Sequence, residues 1–130
     1  MSSWKFSCEM KESVPLPPEY TFAQAFNYLN SETNSFYVLT APSGDYIQCG
    51  GDRSACTVEM REWHGGGKYT HWVIARKDGV DTPGKIEMQG QSIELPECEV
   101  LDRWDAIELF SAFFAGEEIP AAYGRRVVDL

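Results

Sequence analysis

No stretch of this chain approaches the ~20 apolar residues that a membrane-spanning helix needs. The opening segment, MSSWKFSCEMKESVPLPPEY, holds no apolar core of signal-peptide length. The expected location is therefore the cytoplasm, with no membrane partner. Basic charge is also scarce: 11 Lys and Arg face 20 Asp and Glu, for a net charge of −9. That balance excludes nucleic-acid binding through phosphate contacts, which needs a basic surface. It favours solubility and permits steering toward a basic partner. The four cysteines, Cys8, Cys49, Cys56 and Cys98, are widely spaced, with no C-x-x-C. In a reducing compartment they are expected as thiols. There is no internal repeat, no low-complexity block and no complete catalytic or metal motif, so no cofactor is implied.

What is present reads as one α+β domain spanning residues 1–130, with residues 1–20 as an arm and Pro-rich linker and 117–130 as a tail. Trp4, Phe6, Cys8 and Met10 alternate, which predicts an N-terminal strand. Val14 to Pro18 predicts an extended linker. A helix is predicted over Thr21 to Ser31. Its marks are a T-x-x-Q capping box at Thr21 and Gln24 and a stripe of Phe22, Ala25, Phe26 and Leu29. Strands follow at Phe36–Ala41, Tyr46–Cys49, Thr57–Trp63, Tyr69–Arg76, Lys85–Met88 and Ser92–Leu95, separated by short turns rich in Gly, Asp and Pro. Short connections pair strands antiparallel. The second helix, Asp102 to Ala115, has Asp102 as N-cap and an apolar face of Trp104, Ile107, Phe110, Phe113 and Phe114. Val127 and Val128 could add an edge strand. The expected architecture is a curved antiparallel meander of about six strands, with both helices on one face and the other face open.

The centre of that sheet is Ala55 to Lys77, ACTVEMREWHGGGKYTHWVIARK. If Trp63 pairs with Tyr69 across the glycine loop, Arg61 faces His71 and Glu59 faces Val73. Val58, Met60, Trp72 and Ile74 then point to the core. The opposite face presents Glu59, Arg61, Trp63, Tyr69 and His71, a polar-aromatic surface suited to binding. A slip of one residue would reverse His71. His71 is also the acid–base candidate, with Glu59 to orient it; the competing reading is a cross-strand cluster that stabilises the sheet. Tyr37 and Tyr46 are further aromatics that alternation does not assign wholly to the core.

Other residues carry weaker signals. Gly65-Gly66-Gly67-Lys68 lacks phosphate-loop spacing and precedes a strand, so it reads as a hairpin tip. Cys49, Cys56, His64 and His71 are zinc-type ligands, but their spacing is not that of a zinc finger, and no metal site is assigned. A Cys49–Cys56 pair is conceivable across the turn. Glu94, Glu97, Glu99, Glu117 and Glu118 read as a solvated rim or an acidic docking edge.

The run FYVLTAPSGDYIQCGG, then TVEMREW and THWVIARK, and the closing helix WDAIELFSAFFAG resemble small bacterial immunity proteins of polymorphic-toxin systems. The resemblance covers residues 35–116 in order of elements. It implies a non-enzymatic cytosolic inhibitor that binds and neutralises a cognate toxin, expected to be a basic domain. Two alternatives stand beside it. One is a small hydrolase or isomerase using His71 and Glu59. The other is an acidic secretion chaperone, a class that places a helix within the sheet; no helical pattern occurs between Phe36 and Leu95. An uncovered aromatic face could also pair two copies as a two-fold dimer.

Overall fold

A computed structural model describes residues 3–9 and 11–128. The fold is α+β and mostly antiparallel sheet. Strands β1 (Lys5–Cys8), β2 (Lys11–Pro15), β3 (Phe36–Thr40), β4 (Tyr46–Gly51), β5 (Cys56–Gly65), β6 (Lys68–Arg76) and β9 (Tyr123–Val127) form a seven-stranded sheet in the order β2-β1-β3-β4-β5-β6-β9. Strands β7 (Pro83–Met88) and β8 (Gln91–Pro96) form a separate hairpin, and the helix is α1 (Arg103–Phe114).

The core lies between the sheet and the segments packed on one face. Alternation puts Phe6, Leu39, Ile47, Cys49, Val58 and Ile74 on that face, and all are buried. Phe22, Phe26, Leu29, Leu109 and Phe110 close over them. Aromatic rings dominate: Phe6 stacks on Tyr37 at 5.1 Å, while Phe26 meets Tyr37 at 4.9 Å and Phe110 at 5.0 Å, both edge to face. Helix α1 begins where Asp102 accepts from the amides of Trp104 and Asp105, completing a capping box with Asp105. Reciprocal backbone bonds between Cys56 and Leu101, 2.7 and 2.8 Å, fix the helix entrance to β5.

The structure corrects several expectations. The predicted helix at Thr21–Ser31 is only a 3₁₀ turn, Ala25–Tyr28, with no side-chain cap. Its apolar stripe is real, since Phe22, Phe26 and Leu29 are buried. Asn30, however, turns its carboxamide oxygen back onto the amides of Glu32 and Thr33, 3.1 and 2.8 Å away, a local bond that competes with helix. The N-terminal arm is a hairpin rather than one strand and a linker. Val14 and Pro15 belong to β2, where an edge position tolerates proline. Met10, the last residue of the predicted alternation, lies outside the described residues, as do Asp129 and Leu130 in the tail.

The meander holds for β3 to β6 only. β9 takes the free edge of β6, with Trp72 opposite Val127 and Ile74 opposite Arg125. The β7–β8 hairpin is thereby displaced from the sheet and lies over its second face, where a Cβ on Gly50 would sit 2.8 Å from Met88 Sδ. Ile86 is buried there. That face, expected to be open, is therefore covered near Gly50 and free at the far end of β5 and β6.

Candidate functional site

The five residues read as a surface come together in the predicted register. Trp63 pairs with Tyr69, Arg61 with His71, and Glu59 with Val73; Tyr46 of β4 lies opposite Arg61. All share the second face, away from α1. The ladder runs further than expected, to Gly65 opposite Lys68, so the loop is Gly66-Gly67 alone. Both have positive φ, 62° and 76°, as a type I′ turn requires. The register shift between Trp63 and Gly65 leaves His64 as the extra, bulged residue, bonded to Thr70 Oγ1 at 2.6 Å.

Arg61 is the hub. Its guanidinium carbon lies 3.9 Å from the Tyr69 ring centre, 5.5 Å from Tyr46 and 5.6 Å from Trp63. Cation–π attraction thus fills an aromatic cage with the chain's own arginine. Trp63 and Tyr69 meet edge to face at 5.1 Å and remain 40% and 36% exposed. Trp63 is also anchored through its backbone: its amide donates to Asp45 Oδ1 at 2.8 Å, tying the Pro42–Asp45 turn to β5. Burial pushes the Tyr46 hydroxyl above its ordinary pKa, against the opposing effect of Arg61.

His71 was expected on the surface but is only 3% exposed. The physical reason is the packing of Arg61, Tyr46 and Glu59 around its ring. Arg61 Nε, which can only donate, lies 3.2 Å from His71 Nδ1. Nδ1 must therefore accept, and Nε2 carries the hydrogen that is given to Glu59 Oε1 at 2.7 Å. Both ring nitrogens are engaged, and a proton could pass to a bound molecule only if Arg61 or Glu59 moved.

The zinc-type residues separate. Cys49 and Cys56 are buried on the core face, His71 on the opposite face, and His64 is exposed at the hairpin tip. The two thiols neighbour one another; the Cys56 thiol as hydrogen-bond partner, and then burial, push the Cys49 thiol well up. Cys49 is thus a core thiol with little thiolate character. Of the acidic rim, Glu99 departs from expectation: it is buried and held bidentate by Arg126, at 2.8 and 3.0 Å. Glu94, Glu97, Glu117 and Glu118 are exposed. No described helix is long and apolar enough to cross a membrane, and none lies between Phe36 and Leu95.

Sequence reasoning missed two features. Tyr46 was named as an aromatic but not joined to the surface; the pairing of β4 with β5 brings it there. The Arg125–Trp72 stack, 4.5 Å, required knowing that β9 lies beside β6. Comparison with protein-family models, with curated proteins and with solved structures finds no match.

Proposed function

We propose that this chain is a non-enzymatic protein-binding domain whose contact surface is the uncovered end of the second sheet face. One observation carries the reading: two exposed aromatics, Trp63 and Tyr69, are held at fixed angles by Arg61 on a paired β-hairpin. Large rings on a rigid support lose little conformational freedom on association, and such residues dominate binding energies at interfaces. Arg61, partly buried among these rings, keeps guanidinium N–H groups that have no hydrogen-bond partner among the described residues at the centre of the patch. His71 and Glu59 act beneath it as supports that orient the arginine. The engagement of both His71 nitrogens disfavours the hydrolase or isomerase alternative. The absence of a helix among the described residues between Phe36 and Leu95 disfavours the secretion chaperone.

Within this class, the resemblance to immunity proteins and the net charge of −9 favour a basic toxin domain as the partner. The test is to express the product of the adjacent gene and titrate it with this chain by calorimetry. A saturable complex is expected, with loss of the partner's toxicity on co-expression. Trp63→Ala and Tyr69→Ala should each weaken binding about tenfold or more while leaving the circular dichroism spectrum unchanged. The reading is overturned if no toxin is encoded nearby, or if the double variant binds as tightly as the wild type.

A further inference from the structure

A second site lies on the other side of the sheet. Where β1 and β2 extend past the 3₁₀ turn, a groove of about 720 Å³ opens, within the range usual for small-molecule sites. Phe6, Tyr20 and Tyr37 form its inner wall, and Val14, Leu16 and Tyr28 its mouth. Val14 is 47% and Tyr28 65% exposed, large apolar surface left in water at one place. None of the charged side chains among those described lines this groove.

Asn34 supplies the polar feature. It lines the groove and is only 4% exposed. Its amide nitrogen donates to the Tyr28 carbonyl at 3.1 Å and to the Tyr37 hydroxyl at 2.9 Å. The Tyr37 hydroxyl in turn donates to the Ala25 carbonyl at 2.6 Å. Because the Tyr28 carbonyl can only accept, the carboxamide cannot be flipped; the nitrogen must face it. That leaves Asn34 Oδ1 as a buried acceptor with no partner among the described residues. Buried polar atoms are almost always satisfied, and an exception calls for a donor from elsewhere.

We infer that this groove binds an uncharged, planar aromatic small molecule bearing one N–H or O–H donor, with its ring against Tyr20, Tyr28 and Phe6 and its donor on Asn34 Oδ1. The rings favour an aromatic ligand through offset and edge-to-face contacts. The uncharged lining among the described side chains favours a neutral one, and the single orphan acceptor sets the donor count. This site is separate from the Arg61 surface and does not depend on the protein-binding reading.

Indole and 1-methylindole test the inference, since they share a shape and differ by the one donor. Each is titrated into the ¹⁵N-labelled full chain and followed by heteronuclear NMR. Indole should give saturable shifts centred on Val14, Tyr28, Asn34 and Tyr37, and 1-methylindole should bind about tenfold more weakly. This comparison uses the wild type and so needs no variant to fold. Asn34→Leu should abolish the preference for indole, and Val14→Trp, placed at the exposed mouth, should block both probes. Equal affinity for the two probes would overturn the inference. So would shifts centred elsewhere, or a response only to a tryptophan-containing peptide and never to free indole.

Discussion

Tyr37 couples the aromatic core to the groove through a single hydroxyl. The ring packs against Phe6 and Phe26, while the hydroxyl bridges Asn34 and Ala25. Burial pushes its pKa from 10.0 up to about 12, with the hydrogen bond from Asn34 acting the other way. A phenol whose folded pKa is raised contributes stability that is full below pH 10. That contribution is lost as pH rises toward about 12. Tyr37→Phe leaves the Ala25 carbonyl and an Asn34 N–H without partners, and should cost about 1–3 kcal/mol at neutral pH. Because the variant cannot ionise there, the gap between it and the wild type should narrow between pH 10 and pH 12. Urea unfolding at a series of pH values measures this, and a constant gap would refute it.

Two elements depend on residues that look ordinary in the sequence. Helix α1 is tied to the sheet through Asp105, which takes hydrogen bonds from the Tyr123 hydroxyl at 2.6 Å, the Asp102 amide at 3.0 Å and the Arg76 guanidinium. Burial alone would raise this carboxyl, but the Tyr123 hydroxyl, the Asp102 amide and Arg76 together hold it below its usual value of 3.8. Its stabilising effect is therefore present above the ordinary carboxylate range and is lost as pH falls through the depressed value. Asp105→Asn should destabilise by about 1–2 kcal/mol at pH 7, and the difference should shrink only once pH falls below 3.8 and vanish as pH passes through the depressed value, as read by thermal unfolding. The second element is the β4–β5 turn. Asp52 Oδ1 accepts from the amides of Ser54 and Ala55, both at 2.9 Å, a tight Asx turn. Gly51 enters it at φ 130°, and a Cβ there would stand 2.4 Å from the Ala55 carbonyl oxygen. Gly51→Ala should cost about 2–3 kcal/mol, seen as a lower denaturation midpoint, whereas the same change at Gly66 meets nothing within 4 Å and carries only the conformational cost.

The reach of local signals explains what could be read without the structure. Glycine and aspartate at turns, and strict alternation in β5 and β6, are local signals; they yielded the Trp63–Tyr69 register and the face shared by Glu59, Arg61 and His71. Burial of His71 was not legible, because it comes from Tyr46 on β4, two strands away, and from a second role for Arg61. The helix expected at Thr21–Ser31 failed for a related reason: periodicity reported correctly which side chains turn inward, but a 3₁₀ turn with buried Phe22, Phe26 and Leu29 gives the same pattern. The groove depends on β2 and that turn failing to meet, which is a property of two segments at once. No spacing within either one encodes it.

At the scale of the whole molecule, the sheet is built from pieces of unequal support. β3 to β6 are each flanked on both sides by other strands and backed by the aromatic core. The β7–β8 hairpin has no strand beside it among the described residues, and it rests on the second face through Ile86 and Met88. An isolated two-stranded hairpin is marginal in water, so its stability comes from that docking. It should therefore open as a unit below the global unfolding free energy. Native-state hydrogen exchange should show the paired amides of Ile86 and Ile93 exchanging faster than those of Met60 and Val73. Their exchange should also respond less to low concentrations of denaturant than the amides of β5 and β6, because undocking exposes little surface. Ile86→Ala should accelerate exchange in β7 and β8 about tenfold or more and leave Trp63 and Tyr69 in place, since the Arg61 cage is held from within the sheet. Exchange of β7 and β8 in step with β5 would make the hairpin an inseparable part of the core. The covered and uncovered ends of the second face would then be one surface, and the binding patch could not be altered independently of the hairpin.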